Sequence, residues 1–185
     1  MKFWGIITAR KNSKRLINKN IKTFINKPLI EYTFINSKNS LLDKTILSTD
    51  CEISAEIAYK QNINVQWRDK YYAGSTITND QHWLHIAETT PGDIVFLAQV
   101  TSPLLRVSSI QSAINAFLNS DKNDSLNSVS VEKKFLWKDM SPINYDINIT
   151  PKSQDLPNIV SLNFAITIIH KKAMIKRKNV IGYKP

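Results

Sequence analysis

One cysteine, Cys51, stands among 185 residues, which excludes an intrachain disulfide and any zinc cluster built from cysteines. A lone thiol fits a reducing compartment. Glycine occurs only four times, so the chain is neither fibrous nor low in complexity, and it lacks a run of glycines for wrapping a phosphate. No apolar run approaches the ~18 residues of a membrane span. The first eight residues lack the apolar stretch of a signal peptide. A soluble, cytoplasmic chain with no membrane partner is expected. Acids are absent from both ends: residues 1–30 carry eight Lys or Arg, residues 156–185 carry six, and neither stretch holds an Asp or Glu.

What is present suits one globular domain over 1–185. The length allows a real core, and apolar residues make up 42% of the chain. The net charge of +10 leaves nucleic-acid binding open on charge alone. Short runs rich in Val, Ile and aromatics predict strands at Phe3–Thr8, Thr45–Ser48, Asn62–Trp67, Ile94–Ala98, Leu126–Val131 and Asn163–Ile169. Helices are predicted over Pro28–Ser37, Glu52–Gln61, Asp80–Thr89 and Ser108–Asn119, with Thr49 or Asp50 able to cap the second. This alternation predicts an α/β fold, a three-layer α/β/α sandwich with a mostly parallel, Rossmann-like sheet. Ligands of such sheets bind beyond the carboxyl ends of the strands, which puts the loops 9–20, 49–51 and 99–106 on one rim. Segment 132–161 breaks the rhythm. Its aromatics among turn residues suit an inserted arm, extended or of two short strands, that meets a partner.

Three constellations carry chemistry. Directly after the first strand, Arg10, Lys11, Lys14, Arg15 and Lys19 crowd a loop that also offers Ser13 and the amides of Asn12 and Asn20. Such a loop suits an anion, most naturally a phosphate chain of a small nucleotide or of a nucleic acid, with a solvated surface loop as the plain alternative. Second, Gln99 sits just past an apolar run, where its amide can read a ligand's donors and acceptors, although Thr101-Ser-Pro103 also suits a plain helix-initiating turn. Third, Lys152-Ser-Gln-Asp155 leads toward the strand at Asn163 and either closes over a site or forms an ordinary loop. His82 and His85 lie three apart on a helix, a spacing open to metal ligation, but no further convergent ligand is evident.

The order of these pieces resembles the acylneuraminate cytidylyltransferases, which act on sialic acid and related nonulosonic acids. The matching residues are Ala9-Arg10, Ser13-Lys14-Arg15, Lys19-Asn20, Lys27-Pro28-Leu29, Leu47-Ser-Thr-Asp50, Gln99-Val-Thr-Ser-Pro-Leu104, Gln154-Asp-Leu-Pro157 and Asn163-Phe-Ala-Ile166. The resemblance implies a nucleotidyltransferase fold and transfer of CMP from CTP to the anomeric hydroxyl of the acid, with release of pyrophosphate. It implies nucleotide binding by Arg10, Ser13, Lys14, Asn20, Arg68, Thr76 and Thr78, and substrate binding by Gln99, Gln154 and Asn163. Lys14 and Lys152 would be catalytic. Magnesium is the expected cofactor, CTP and a nonulosonic acid the expected partners, and a homodimer through the 132–161 arm the expected assembly; a nucleic-acid partner is not. Several positions depart from the family pattern. Lys11-Asn12 replaces Gly-Gly, Lys152-Ser153 stands for an Arg pair, Phe164 for Gly, and Thr167 for Tyr. The family's magnesium-binding Asp-x-Asp lies past a position matching Gly182-Tyr-Lys-Pro185, and the last acid here is Asp155, so no metal ligand is assigned. A family member that binds nucleotide or a partner without turnover is the alternative.

Overall fold

A computed structural model describes every residue of the chain except Asn12, Lys14 and Arg15. The chain divides into two compact units, Met1–Asn127 with Ala165–Pro185, and Ser128–Phe164. The main sheet takes strands β1 (Phe3–Ala9), β4 (Lys44–Thr49), β5 (Asn64–Trp67), β6 (Ile94–Ala98), β7 (Ser125–Glu132) and β10 (Ile159–His170). Their order is β5-β4-β1-β6-β10-β7. β1 runs parallel to β4 and β6, β4 parallel to β5, and β10 antiparallel to β6. Strands with no solvent face are apolar throughout, as in Ile94-Val-Phe-Leu-Ala98, where every residue is buried. Two-residue strands β2 (Thr23–Phe24) and β3 (Lys27–Pro28) form a hairpin before the first helix, and β8 (Trp137–Lys138) pairs with β9 (Ser141–Pro142) in the second unit.

Helices α1 (Leu29–Lys38), α2 (Glu52–Lys60) and α5 (Val107–Leu118) send Ile30, Phe34, Ala58, Ile110 and Ile114 into one core with Phe3, Ile7, Leu47 and Phe96 of the sheet. Because side chains alternate along a strand, the equally buried Ile6, Val95, Leu97 and Ile169 belong to the opposite face. There α4 (Asn79–Thr89) and α6 (Lys171–Arg177) pack together and contribute Ile86, Ala87 and Met174. Helix α3 (Lys70–Ala73) is a single turn capped by Asp69, whose carboxylate accepts the Tyr71 N–H at 2.7 Å. The three-layer, mostly parallel architecture expected from the pattern is present, with β10 antiparallel. Among the described residues no helix is long and apolar enough to cross a membrane.

Two local expectations are corrected. Neither Thr49 nor Asp50 caps α2; the cap residue is Cys51, and it makes no side-chain cap bond. The Thr49 hydroxyl instead donates to the Ala9 carbonyl and accepts the Cys51 N–H, while the Asp50 carboxylate accepts the Lys11 N–H at 2.8 Å. Both side chains therefore serve the exit of β1 rather than the helix. β5 begins at Asn64 rather than Asn62, because Asn62 turns through the left-handed region at φ 54°.

The second unit, Ser128–Phe164, holds the β8–β9 hairpin, whose link Asp139-Met140 has positive φ at both residues, as a primed hairpin turn requires. Asn144 is buried and donates to the Lys134 carbonyl while accepting the Leu136 N–H, both at 2.8 Å. Phe135, Trp137, Ile143, Ile147 and Ile149 stay exposed.

Candidate functional site

Four adjacent parallel strands stop in near register, and the first residue past each is polar. β1 ends at Ala9, paired with Thr49, which in turn pairs with Trp67; β6 ends at Ala98, paired with Ile7. The residues that follow are Arg10, Asp50, Arg68 and Gln99. The chain leaves β1 for β4 and β5 on one side and returns to β6 on the other, so Arg10 and Gln99 flank the point where strand order reverses. Open α/β sheets hold their ligands in the crevice at such a point. A cleft of about 590 Å³ lies there. Arg10, Ser13, Lys19, Asn20, Arg68, Thr78, His82 and Gln99 line it, with Tyr72 and the loop Ala73–Ser75.

Arg68 is its most unusual member. Only 7% of it is exposed. Its Nε–H donates to the Ser48 hydroxyl at 3.2 Å and an Nη2–H to the Ser48 carbonyl at 2.6 Å. That uses two of the five N–H donors of a guanidinium. The ion pair found among the described residues is Lys134–Glu132 in the second unit, so no carboxylate there pairs with Arg68. Burial pushes the Arg68 pKa down, Asp50 partly restores it, and Arg10 lowers it further. A buried cation with free donors and no ion-paired carboxylate among the described residues is preorganised for an anionic ligand.

The neighbouring groups set shape and charge around it. Asn20 is buried and donates from its Nδ2 to the Arg10 carbonyl at 3.3 Å, which ties the basic loop back to the end of β1. Thr78 caps α4: its hydroxyl accepts the Gln81 N–H at 3.2 Å, and the Gln81 side chain accepts the Thr78 N–H at 2.9 Å, a capping box. One turn further along, His82 faces the cleft with its pKa lowered to about 4, first by burial and then by Arg68, His85 and Arg10. It is therefore a neutral imidazole at pH 7. Tyr72 is held in place by stacking on His85, with ring centroids 3.8 Å apart and planes 7° from parallel.

The structure brings together six of the residues expected at the site: Arg10, Ser13, Asn20, Arg68, Thr78 and Gln99. Thr76 is exposed on the loop before α4 and does not line the cleft. Lys14, with Asn12 and Arg15, lies outside the described residues. Lys152, Gln154 and Asn163 belong to the second unit. Within it Lys152 is exposed ahead of a short turn of 3-10 helix, the Gln154 carbonyl accepts the Lys133 amine at 3.3 Å, and the Asn163 amide meets the hydroxyls of Ser128 and Ser130. His82 lines the cleft, but no group of three or more His, Cys, Asp or Glu among the described residues could hold a metal ion. Tyr72 and the Ala73–Ser75 loop escaped the sequence reading. Their signal was the pair of helix caps, Asp69 and Thr78, which bracket a short loop next to Arg68.

Comparison with known proteins adds matches to a family, to relatives and to solved structures. The profile of the family described as Cytidylyltransferase matches residues 4–178. Pseudaminic acid cytidylyltransferase of Campylobacter jejuni is 36% identical over 126 residues, covering 64% of this chain and 54% of that protein. N-acylneuraminate cytidylyltransferase of Streptococcus agalactiae is 28% identical over 184 residues, covering 94% of this chain and 45% of that protein. The chain thus spans about half the length of these relatives. Among solved structures, CMP:2-keto-3-deoxy-manno-octonic acid synthetase complexed with CTP superposes with a TM-score of 0.70 at 14% identity, over 93% of this chain and 75% of that one. The 4-diphosphocytidyl-2C-methyl-D-erythritol synthase of Anaerococcus prevotii gives 0.68 at 17% identity, over 96% and 74%. At these identities the structural matches speak to fold alone.

Proposed function

The chain belongs to the cytidylyltransferase family, and from that membership we propose that it transfers CMP from CTP to the anomeric hydroxyl of a nonulosonic, sialic-type acid, releasing pyrophosphate. The observation that carries this reading is the cleft at the strand ends, where Arg10, Lys19 and the buried Arg68 meet the amides of Asn20 and Gln99. In phosphoryl-group transfer the protein mainly positions the reactants and neutralises charge. Arg10 and Arg68 would take the triphosphate, and the sugar hydroxyl would attack the α-phosphorus as the bond to the pyrophosphate oxygen breaks. Ser13 and the loop before α4, with Thr76 and Thr78, would add neutral donors to the nucleotide. Gln99, Gln154 and Asn163 would read the acid. Lys14 and Lys152 would supply further positive charge as negative charge builds on the leaving group. The substrate acid is itself anionic, which suits a basic site. The exposed aromatics of the second unit support assembly as a homodimer, and use of CTP goes with a cytoplasmic location.

The described lining of the cleft contains no carboxylate, and no metal-holding cluster occurs among the described residues. These residues do not form a magnesium site by themselves. That observation favours a second reading, a family member that binds nucleotide without turnover. A coupled pyrophosphate-release assay with CTP and a panel of sialic, pseudaminic and legionaminic acids separates the two. Release with at least one acid is expected. CTP binding without release for any acid would leave only the nucleotide-binding reading, and no CTP binding would remove both.

A further inference from the structure

Behind the cleft lies a second, much smaller space. It is partly open, about 10 Å³ in volume, and lies between α1 and the turn that follows β6. Thr33 and Ser37, one turn apart on α1, border it, with Asn36, Ser102 and Gln99. Thr33 is 6% exposed and Ser37 1%, and neither hydroxyl has a hydrogen-bond partner within the protein. Buried hydroxyls without partners are uncommon in folded proteins, and the usual resolution is an ordered water. One water needs about 10–15 Å³ of such volume and two to four polar partners. At about 10 Å³ the space lies at the lower bound for one water, and the two unpartnered hydroxyls beside it supply two polar partners. Its walls are also fixed: Asn36 donates to the Leu105 carbonyl at 2.7 Å, and the Ser102 N–H donates to the Gln99 carbonyl at 3.1 Å.

Gln99 lines both this cavity and the cleft, and among the described residues lining the two spaces it is alone in doing so. Its carboxamide presents an acceptor oxygen on one side and a donor NH₂ on the other, so a half-turn about its last bond exchanges what a ligand meets. A hydrogen bond to the carboxamide from the cavity side would fix that orientation.

We infer that one buried water, held by the hydroxyls of Thr33 and Ser37, hydrogen-bonds the Gln99 carboxamide and fixes which of its ends faces the cleft. Thr33 and Ser37 are then positioning residues, acting on the substrate acid through Gln99. This role rests on the proposed reading of Gln99 as a substrate contact. The water itself does not.

The test pairs a structure with kinetics on the full chain. A high-resolution crystal structure should show one water within about 3 Å of Thr33 Oγ1, Ser37 Oγ and the Gln99 carboxamide. A dry cavity, or a water that does not reach Gln99, overturns the inference. Thr33→Val with Ser37→Ala keeps the shape and removes both hydroxyls. In that variant the KM for the acid should rise about tenfold, as for a lost or reversed polar contact, while the Kd for CTP stays within about twofold. An unchanged KM for the acid contradicts the positioning role. If wild type releases no pyrophosphate with any acid, the proposed function fails. The Gln99 orientation in crystals of wild type and of Thr33→Val then still decides this inference, and so does the wild-type structure alone if the double variant does not fold.

Discussion

Replacing Arg68 by methionine should separate binding from folding, because the wild-type side chain is held in the fold without an ion-pair partner. Methionine keeps the length and fills the buried space without charge. Two hydrogen bonds to Ser48 are lost, and each contributes about 0.5–1.5 kcal/mol net. Against that loss stands the relief of a desolvated guanidinium, whose burial and proximity to Arg10 already depress its pKa. The two effects offset one another, so stability should change by no more than about 1–2 kcal/mol, in either direction. Binding has no such compensation. A charge-assisted hydrogen bond to phosphate contributes about 1.5–3 kcal/mol, so CTP affinity should fall roughly 10- to 100-fold. Isothermal titration with CTP at fixed salt, beside thermal unfolding of the same samples, measures both quantities. Arg68→Lys should recover part of the affinity, since lysine keeps the charge without the forked geometry. A folded Arg68→Met variant that binds CTP as wild type does would refute the assignment of Arg68 as the anion-holding group.

Further expectations concern other parts of the chain. His82 binds a proton only near pH 4 in the native cleft but near 6.5 when unfolded, so between those values the unfolded chain holds more protons and stability rises with pH. Acidification across that window should therefore cost up to about 3 kcal/mol through His82. Urea unfolding of wild type and His82→Gln from pH 4 to 7 checks it, and identical pH profiles would contradict it. Occupation of the cleft by an anion should raise the His82 pKa, visible as proton uptake when CTP is titrated at pH 5.5 in buffers of different ionisation enthalpy. Ile25, 78% exposed, holds φ 59° in the β2–β3 turn, a conformation that glycine adopts without strain. Ile25→Gly should raise stability by about 0.5–1 kcal/mol and Tm by about 2–3 °C, and a lowered Tm would count against strain there. If the exposed face of the second unit forms the homodimer, Trp137→Glu should convert a dimer to a monomer in sedimentation velocity; a wild-type monomer would remove that assembly.

The order of elements was legible from short apolar runs and helical spacing: β6 occupies the expected residues, β1 and α4 differ by one residue at one end, and β4 by one residue at each end. The β2–β3 hairpin was not, because two-residue strands carry no period, and α6 was not, because Lys171-Lys172 hides its start in a basic tail. Caps misled where side chains act across strands. Thr49 and Asp50 have the chemistry of helix caps, but the neighbouring β1 exit offered them better partners. At the site, Arg10 and Gln99 followed from their places after strands. The burial of Arg68 and its lack of a carboxylate partner are tertiary facts that no local pattern records. The same holds for His82, whose one-turn offset from Thr78 places it in the cleft and whose lowered pKa comes first from burial and then from Arg68, His85 and Arg10.

The central claim is that the cleft at the strand ends is a CTP site, and a crystal structure of the protein with CTP tests it most directly. The account predicts the triphosphate against Arg10 and Arg68, with Gln99 and Asn20 at the rim of the same cleft. CTP bound elsewhere, or bound there with its phosphates turned away from both arginines, would contradict it.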